Sequence, residues 1–371
     1  MARILSVLPH AGGNVSPSLE ILSELRRRGY DVLVLGHAQL AEPVAARGLG
    51  FRPFAHARPW SATSENPGLR SMAGFLLLAS DRGARRDVSD AALDFQPELV
   101  VHDCMMPGAL AASRRTGVPV VMVLHTLYPY WEEQWGLRSP MGLWLRATGT
   151  LPGGRLSPDL AVLTTMPELD PVPAKTHLPR DRMRQTGPAM PPVNAAAAAA
   201  NGQPSILISL STISYPGQAQ LLQKLMNAVA DLPITAIVTT GPSLDPASFH
   251  APANVTLLPF VPHDEVLPTV QLLVGHGGHG TAMRALAYGV PVLIVPMSSV
   301  ADHHMVAAAI EGAGAGGSVS KHATAEELGA AIMRALEQPS VRDHAAELGR
   351  LLRSRSGASE AADAIEGLLP A

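Results

Sequence analysis

Short runs of leucine and β-branched residues alternate along most of the chain with stretches whose apolar positions recur every three or four residues. That alternation predicts strands joined by helices, the texture of parallel α/β architecture. The first unit is clear. Residues 3–8 read as a buried strand, followed by the loop Pro9-His10-Ala11-Gly12-Gly13-Asn14-Val15. Ser16 reads as an N-cap with Pro17 at the first helical position, and Leu19, Leu22 and Leu25 share one helical face. Gly29 ends that helix, where a left-handed residue is wanted. Further strands are expected at 30–35, 98–101, 118–124, 206–210, 234–239, 255–258, 272–275 and 292–295. Helices are expected at 108–115, 218–230, 281–288, 304–312, 326–336 and 341–353, with Thr324 and Glu327 spaced as a capping box. Residues 72–78 read either as a mobile apolar lip or as core helix.

The texture changes between 187 and 204, where Pro and Gly pairs flank an alanine run. The division expected is therefore a domain over 1–190, a linker over 191–203 and a second domain over 204–371, with the last helix free to pack back on the first domain. Each is long enough for its own core. The picture is two Rossmann-like, doubly wound parallel sheets facing each other across a cleft.

Composition narrows the function classes. Of 371 residues, 47% are apolar and 16% charged, which excludes a disordered or fibrous chain. The net charge is −3 and no basic stripe is visible, so nucleic acid is not an expected partner. A single cysteine, Cys104, leaves no disulfide framework and fits a reducing compartment, hence a cytoplasmic protein. No apolar run approaches the roughly 18–20 residues that span a bilayer.

The most chemically informative stretch is Val274-Gly275-His276-Gly277-Gly278-His279-Gly280-Thr281, between an apolar strand and a helix. A glycine-rich turn delivered to a helix N-terminus makes an anion site, with free N–H groups and the positive dipole end aimed at the ligand. His276 adds a group that can be cationic beside a phosphate, and Thr281 adds a hydroxyl. A diphosphate is the natural occupant. The glycines also satisfy G-x-G-x-x-G, but that dinucleotide fingerprint belongs in a first βα turn, and this one opens late. A nicotinamide oxidoreductase therefore stays open as a secondary reading. A zinc site built from His276, His279, His303 and His304 is disfavoured, since no cysteine accompanies them.

Taken together, Phe260-Val261-Pro262-His263, His276-Gly277-Gly278 with Gly280-Thr281, Ala287-Tyr288-Gly289-Val290-Pro291 and Asp302-His303 resemble the donor-binding signature of GT-B nucleotide-sugar glycosyltransferases. The opening Gly13-Asn14-Val15-x-Pro17 and Arg28-Gly29-Tyr30-Asp31-Val32 resembles the same family, most closely its actinobacterial, antibiotic-glycosylating branch. The resemblance implies a GT-B fold and inverting transfer of a sugar from a nucleoside diphosphate (TDP or UDP) to a hydrophobic small molecule. It implies no metal and no cofactor beyond the nucleotide sugar. Phe260 and Val261 would hold the base. His276, Gly277, Gly278, Gly280 and Thr281 would hold the diphosphate, with Ser211 or Thr212 reaching it from another loop. Asp302 and His303 would read sugar hydroxyls. Trp60, Tyr128, Trp131 and Trp135 are dense enough to line an apolar acceptor pocket, or are ordinary core. Oligomeric state is left open, a homodimer included.

Two departures stand out. Arg284 occupies a position where the family often has a glutamate to the ribose. Asn14 occupies the position of the usual histidine base, and asparagine accepts no proton at neutral pH. Three readings follow: His10 is the base with Asp103 supporting it; Asp103 or another residue such as His125 serves while Asn14 positions the acceptor; or the protein binds nucleotide sugars without transferring them, as an auxiliary partner.

Overall fold

The computed structural model describes residues 1–61, 69–136, 138–151, 158–193 and 202–369. The alanine run at 195–200 lies outside the described residues. The chain divides into two compact units, one taking it to Pro191 and again from Ser356, the other taking Pro192–Arg355.

The first unit holds strands β1 (Arg3–Leu8), β2 (Asp31–Gly36), β3 (Gly50–Pro53), β4 (Leu99–Asp103), β5 (Val120–Leu124), β6 (Leu160–Leu163) and β7 (Met183–Gln185). They pair in parallel in the order β3-β2-β1-β4-β5-β6-β7. Its helices before residue 191 are α1 (Val15–Arg27), α2 (Ala41–Ala45), α3 (Leu69–Ala79), α4 (Arg82–Phe95), α5 (Pro107–Ser113), α6 (Tyr128–Trp135) and α7 (Pro140–Ala147). The second unit repeats the plan with β8 (Ser205–Ser209), β9 (Thr235–Thr239), β10 (Val255–Leu258), β11 (Leu272–Gly275), β12 (Val292–Ile294) and β13 (Gly316–Ser318), ordered β10-β9-β8-β11-β12-β13. Its helices are α8 (Gln218–Val229), α9 (His263–Val266), α10 (His279–Ala287), α11 (His303–Gly312), α12 (Ala325–Glu337) and α13 (Pro339–Ser354). The last helix, α14 (Gly357–Glu366), returns to the first unit.

Both sheets are buried on two faces, which is why their strands read as nearly continuous apolar runs. In β1 the alternation still sorts the faces. Ile4 and Leu8 join Leu19, Leu22 and Leu25 of α1, while Leu5 and Val7 join Ala84 and Val88 of α4 and Ala109 of α5. Gly29 has φ +98° after α1, the left-handed conformation that ends the helix. The Thr324–Glu327 capping box is formed in both directions. The start of α1 differs from expectation. Val15 opens the helix, Pro17 sits two residues in, and no side chain caps it. A proline in the first turn is tolerated because its missing N–H would have had no helical partner.

In each sheet the strand order reverses beside the unit's first strand, between β1 and β4 and between β8 and β11. Crevices outside the carboxyl ends of parallel strands at such switch points are where open α/β sheets place ligands. The fold therefore nominates two edges. One carries the loops after β1 and β4, the other the loops after β8 and β11.

Helix α14 buries Ala361, Ala362 and Ile365 in the core cluster that contains α1. Arg28 fastens it, donating to Asp363 and Glu366 at 2.6 Å each, to Ser359 Oγ at 2.7 Å and to Glu24 at 2.8 Å. Water reaches the outer carboxylates, so the cluster contributes about 1–2 kcal/mol rather than the full value of a buried network. Arg28→Ala should accelerate amide exchange across Gly357–Glu366 by about tenfold while leaving exchange in the second unit unchanged. Unaltered protection of α14 would show that its apolar face alone holds it.

Candidate active site

At the edge of the second sheet, β11 ends at Gly275 and α10 begins at His279 with Gly278 as N-cap and no capping side chain. No capping side chain accepts from the first turn of α10, where the helix dipole favours an anion. The turn is dictated sterically. Gly277 has φ +96°, and a Cβ there would sit 2.9 Å from Ile294 Cγ2 and 3.0 Å from the His303 carbonyl oxygen. A Cβ on Gly278 would sit 2.6 Å from His276 Nε2. Both glycines exist to let imidazole and strand side chains lie flat against the turn. Gly280 is exposed and Thr281 partly exposed at the mouth.

His276 and His303 stack edge to face at 4.8 Å between centroids, and Tyr215 closes on His303 at 5.3 Å. Met297 N–H donates to His303 Nδ1 at 3.3 Å, which leaves the ring proton on Nε2, 3.5 Å from the Tyr215 hydroxyl. His303 is thereby committed inside the turn rather than offered to a sugar, a correction to the role expected of it. His276 is corrected too. Burial, with His303 beside it, holds its pKa down to about 3, so it is neutral rather than cationic. Its Nδ1 is buried and has no hydrogen-bond partner. His303 is likewise held at about 4, mainly by burial.

Other expected donor residues lie on separate loops of the same unit. Thr212 is exposed, whereas the Ser211 hydroxyl accepts from Ile213 N–H at 3.0 Å within its own loop. Asp302 is partly exposed at the N-cap position of α11. Phe260 is 73% exposed, an apolar platform that the core does not claim, and Val261 beside it is half-buried. Arg284 forms a two-pronged pair with Asp264, which also accepts from the Tyr288 hydroxyl at 3.2 Å. The arginine thus locks α10 to α9. Sequence reasoning missed Tyr215, and missed the Ser209 hydroxyl that bonds His263 at 3.1 Å and Thr239 at 2.9 Å. A serine ending a strand carries no spacing signal of its own.

At the edge of the first sheet, two clusters form. Asn14 Nδ2 donates to Asp103 Oδ2 at 3.2 Å, Met105 N–H donates to Oδ1 at 2.8 Å, and His125 Nε2 lies 3.4 Å from Oδ2. His125 Nε2 also meets Ser18 Oγ at 2.9 Å. The Asp103 side chain is 0% exposed. Separately, His10 Nδ1 meets Ser61 Oγ at 2.7 Å, and the His10 N–H donates to His37 Nδ1 at 3.1 Å. His37 Nε2 donates to the Arg58 carbonyl at 3.3 Å, which fixes its tautomer. Asp103 therefore does not support His10, as one sequence reading had it; Ser61 does. Neither His37 nor Ser61 was anticipated.

The aromatic residues are corrected as well. Tyr128 is 0% and Trp131 2% exposed within a core cluster that Trp135 packs against. They are structural, not acceptor-lining. Trp60 packs on Phe75 and His37. Among the described residues no group of three His, Cys, Asp or Glu side chains is placed to hold a metal, and no helix is long and apolar enough to cross a membrane. Residues 72–78 fall within helix α3, with Leu78 buried and Leu77 40% exposed.

Comparison with known proteins shows what the whole chain is similar to. The model for the erythromycin biosynthesis protein CIII-like C-terminal domain matches residues 223–368, and that for glycosyltransferase family 4 matches residues 12–153. The 4'-demethylrebeccamycin synthase of Lentzea aerocolonigenes is 25% identical over 99% of this chain and 100% of its own. The demethyllactenocin mycarosyltransferase of Streptomyces fradiae is 28% identical over 100% of this chain and 87% of its own. Among solved structures, the kitacinnamycin glycotransferase superposes with a TM-score of 0.81 at 23% identity, covering 100% of this chain and 99% of its own. The glycosyltransferase VinC, solved in complex with DTDP, gives 0.72 at 21%, covering 98% and 100%.

The two neutral histidines make a pH prediction. An unfolded histidine takes up a proton near pH 6.5, whereas His276 and His303 in the folded chain wait until about 3 and 4. Their contribution is fully present above about pH 6.5 and is lost as pH falls toward 4, by up to about 1.4 kcal/mol per pH unit for each. Imidazole NMR should show both rings neutral at pH 5.5. Protonation of His276 near pH 6.5 would overturn the assignment.

Proposed function

We propose that the chain is a glycosyltransferase of the antibiotic and natural-product type to which its relatives and GT-B fold neighbours belong, an inverting enzyme moving a sugar from a nucleoside diphosphate to a hydrophobic small-molecule acceptor. The observation that carries this reading is the uncapped N-terminus of α10 above His276. Its N–H groups and dipole favour a diphosphate and stabilise the negative charge that grows on it as the glycosidic bond to the sugar breaks. His276 adds one neutral N–H. Thr212, Thr281 and Asp302 are partly or fully open in the same unit, and Phe260 offers a face to a nucleotide base. Thymidine diphosphate is the favoured carrier: a ribose-directed glutamate is replaced by Arg284, which is bound to Asp264, and VinC, a fold neighbour, holds DTDP.

His10 is the general base of this reading. Burial lowers its pKa, so it is neutral at physiological pH, and it remains half-buried rather than sealed. In the tautomer this reading requires, Nδ1–H is given to Ser61 and Nε2 takes the acceptor's proton as its oxygen attacks the anomeric carbon. Asp103 is buried and accepts from Asn14 Nδ2 and Met105 N–H, so its part is to hold Asn14 and the α1 entrance. The presence of Asn14 also sustains a second reading, a nucleotide-sugar-binding protein without turnover. Assay of sugar transfer from TDP- and UDP-sugars to aromatic and aliphatic hydroxyl acceptors decides between them; diphosphate binding with no transfer to any acceptor would favour the second.

Because His276 donates as a neutral group, His276→Ala should weaken nucleoside diphosphate binding by about 3- to 10-fold, corresponding to roughly 0.5–1.5 kcal/mol. Calorimetry measures this directly, and unchanged affinity would remove the histidine from the site. Charge stabilisation by a helix terminus needs no divalent ion, so turnover should survive chelator unchanged. Activity that disappears with chelator and returns with magnesium would contradict the mechanism.

His10→Ala should lower turnover at neutral pH by about 10²-fold with donor affinity intact. In the wild type, kcat/KM should fall in acid with an apparent pKa below 6.5. If instead Asp103→Asn abolishes turnover while His10→Ala stays active, the base has been misassigned. Asn14→His should raise activity on aliphatic alcohols, whose protons are held more tightly than those of phenols.

A further inference from the structure

Outside both sheet edges, α4, α5 and the turn after α5 form a surface pocket of about 220 Å³ lined by Arg85, Arg86, Ser89, Ala111, Ala112 and Arg115. At about 30 Å³ per water in the liquid, that is room for a small oxyanion and a few waters. Three of the six lining residues are arginines, and no acidic side chain is among them. Arg85 is the least comfortable of them. Its Nε and Nη2 are buried and lack hydrogen-bond partners. Burial lowers its pKa, with Arg82 and Arg115 adding to the effect.

The helix itself makes the arrangement costlier. Arg82, Arg85 and Arg86 occupy the first two turns of α4, and its first turn has no acidic residue. The dipole there favours anions, and Arg82 and Arg86 are spaced for i,i+4 repulsion. Nearby acids are engaged elsewhere. Asp81 accepts from the backbone N–H groups of Arg58, Gly83 and Ala84, and Asp87 accepts from those of His56 and Ala57. Asp90 lies 3.8 Å from Arg86 Nε, beyond hydrogen-bond reach. A guanidinium fork left without a partner inside a folded domain is costly, and a tetrahedral oxyanion satisfies several such forks at once.

We propose that the pocket between α4 and α5 is a binding site for a phosphate-class oxyanion, free or as the phosphate group of a small phosphorylated molecule. It is separate from the donor diphosphate turn, which lies in the other unit. The test is calorimetric titration of the full chain with inorganic phosphate and with a sugar phosphate, at ionic strength matched with sodium chloride. Saturable binding should weaken about tenfold or more in Arg115→Ala and in Arg86→Ala, whose exposed side chains can be removed without disturbing the core, and also in Arg85→Met. Binding should persist in His276→Ala. Tighter binding of the sugar phosphate would identify an esterified ligand, and equal binding the free ion. Absence of saturable phosphate binding, or binding lost in His276→Ala and retained in the arginine variants, would overturn the proposal.

Discussion

The donor turn rests on a contact between backbone and imidazole. Gly277 and Gly278 have no side chains, so the Ile294 side chain and His303 backbone lie directly against the first, and the His276 ring against the second, as the chain passes from β11 into α10. The contact excludes water, and burial in turn keeps both imidazoles neutral. Neutral rings can stack at 4.8 Å, where two imidazolium ions would repel. The same contact leaves the N-cap of α10 without a capping side chain. One steric condition thus fixes the turn, keeps its imidazoles neutral and leaves the helix dipole as the field that the proposed diphosphate would meet.

Much of the fold was legible because buried parallel strands and amphipathic helices leave strong patterns. β1, β10 and β11 fall where the apolar runs place them, and the helices of the second unit are displaced by at most two residues at either end. Helix α4, Arg82–Phe95, escaped despite its 14 residues, and so did elements too short for any period to show. β6 has four residues, β7 three, and β13 is Gly316-Gly317-Ser318, a composition that reads as loop. The glycine in β13 is nevertheless demanded by packing, since a Cβ on Gly316 would lie 1.9 Å from the Val292 carbonyl oxygen. Glycine there marks close approach between strands, not a turn.

Site residues divide in the same manner. The glycine-histidine turn was visible because its residues are contiguous. The surroundings of His10 were not, because Ser61 and His37 come from loops 51 and 27 residues away. Residue type alone also misled at the aromatics. Tyr128 and Trp131 are polar enough at one end to suit a ligand pocket, yet their rings are buried against Cys104, Leu110 and Met122. Trp131 Nε1 is left without a partner there, so packing of the ring outweighs the unsatisfied donor. Charge could not be read from sequence either. A histidine in a phosphate-like turn suggests a cation, and only its burial shows otherwise.

The path of the chain adds a constraint on how the first unit is completed. Its core cluster includes Ala361, Ala362 and Ile365 alongside Leu19, Leu22 and Leu25. Those residues are separated by more than three hundred positions, and the second unit is made between them. The contact of α1 with α14 is therefore among the most non-local in the molecule, and closing so long a loop is entropically unfavourable until the intervening unit is compact. Folding of the second unit shortens the effective loop and brings α14 within reach of α1. Asn14 and His10 sit on the loop that feeds α1, so the position of the candidate base depends on a helix face that the last residues of the chain complete.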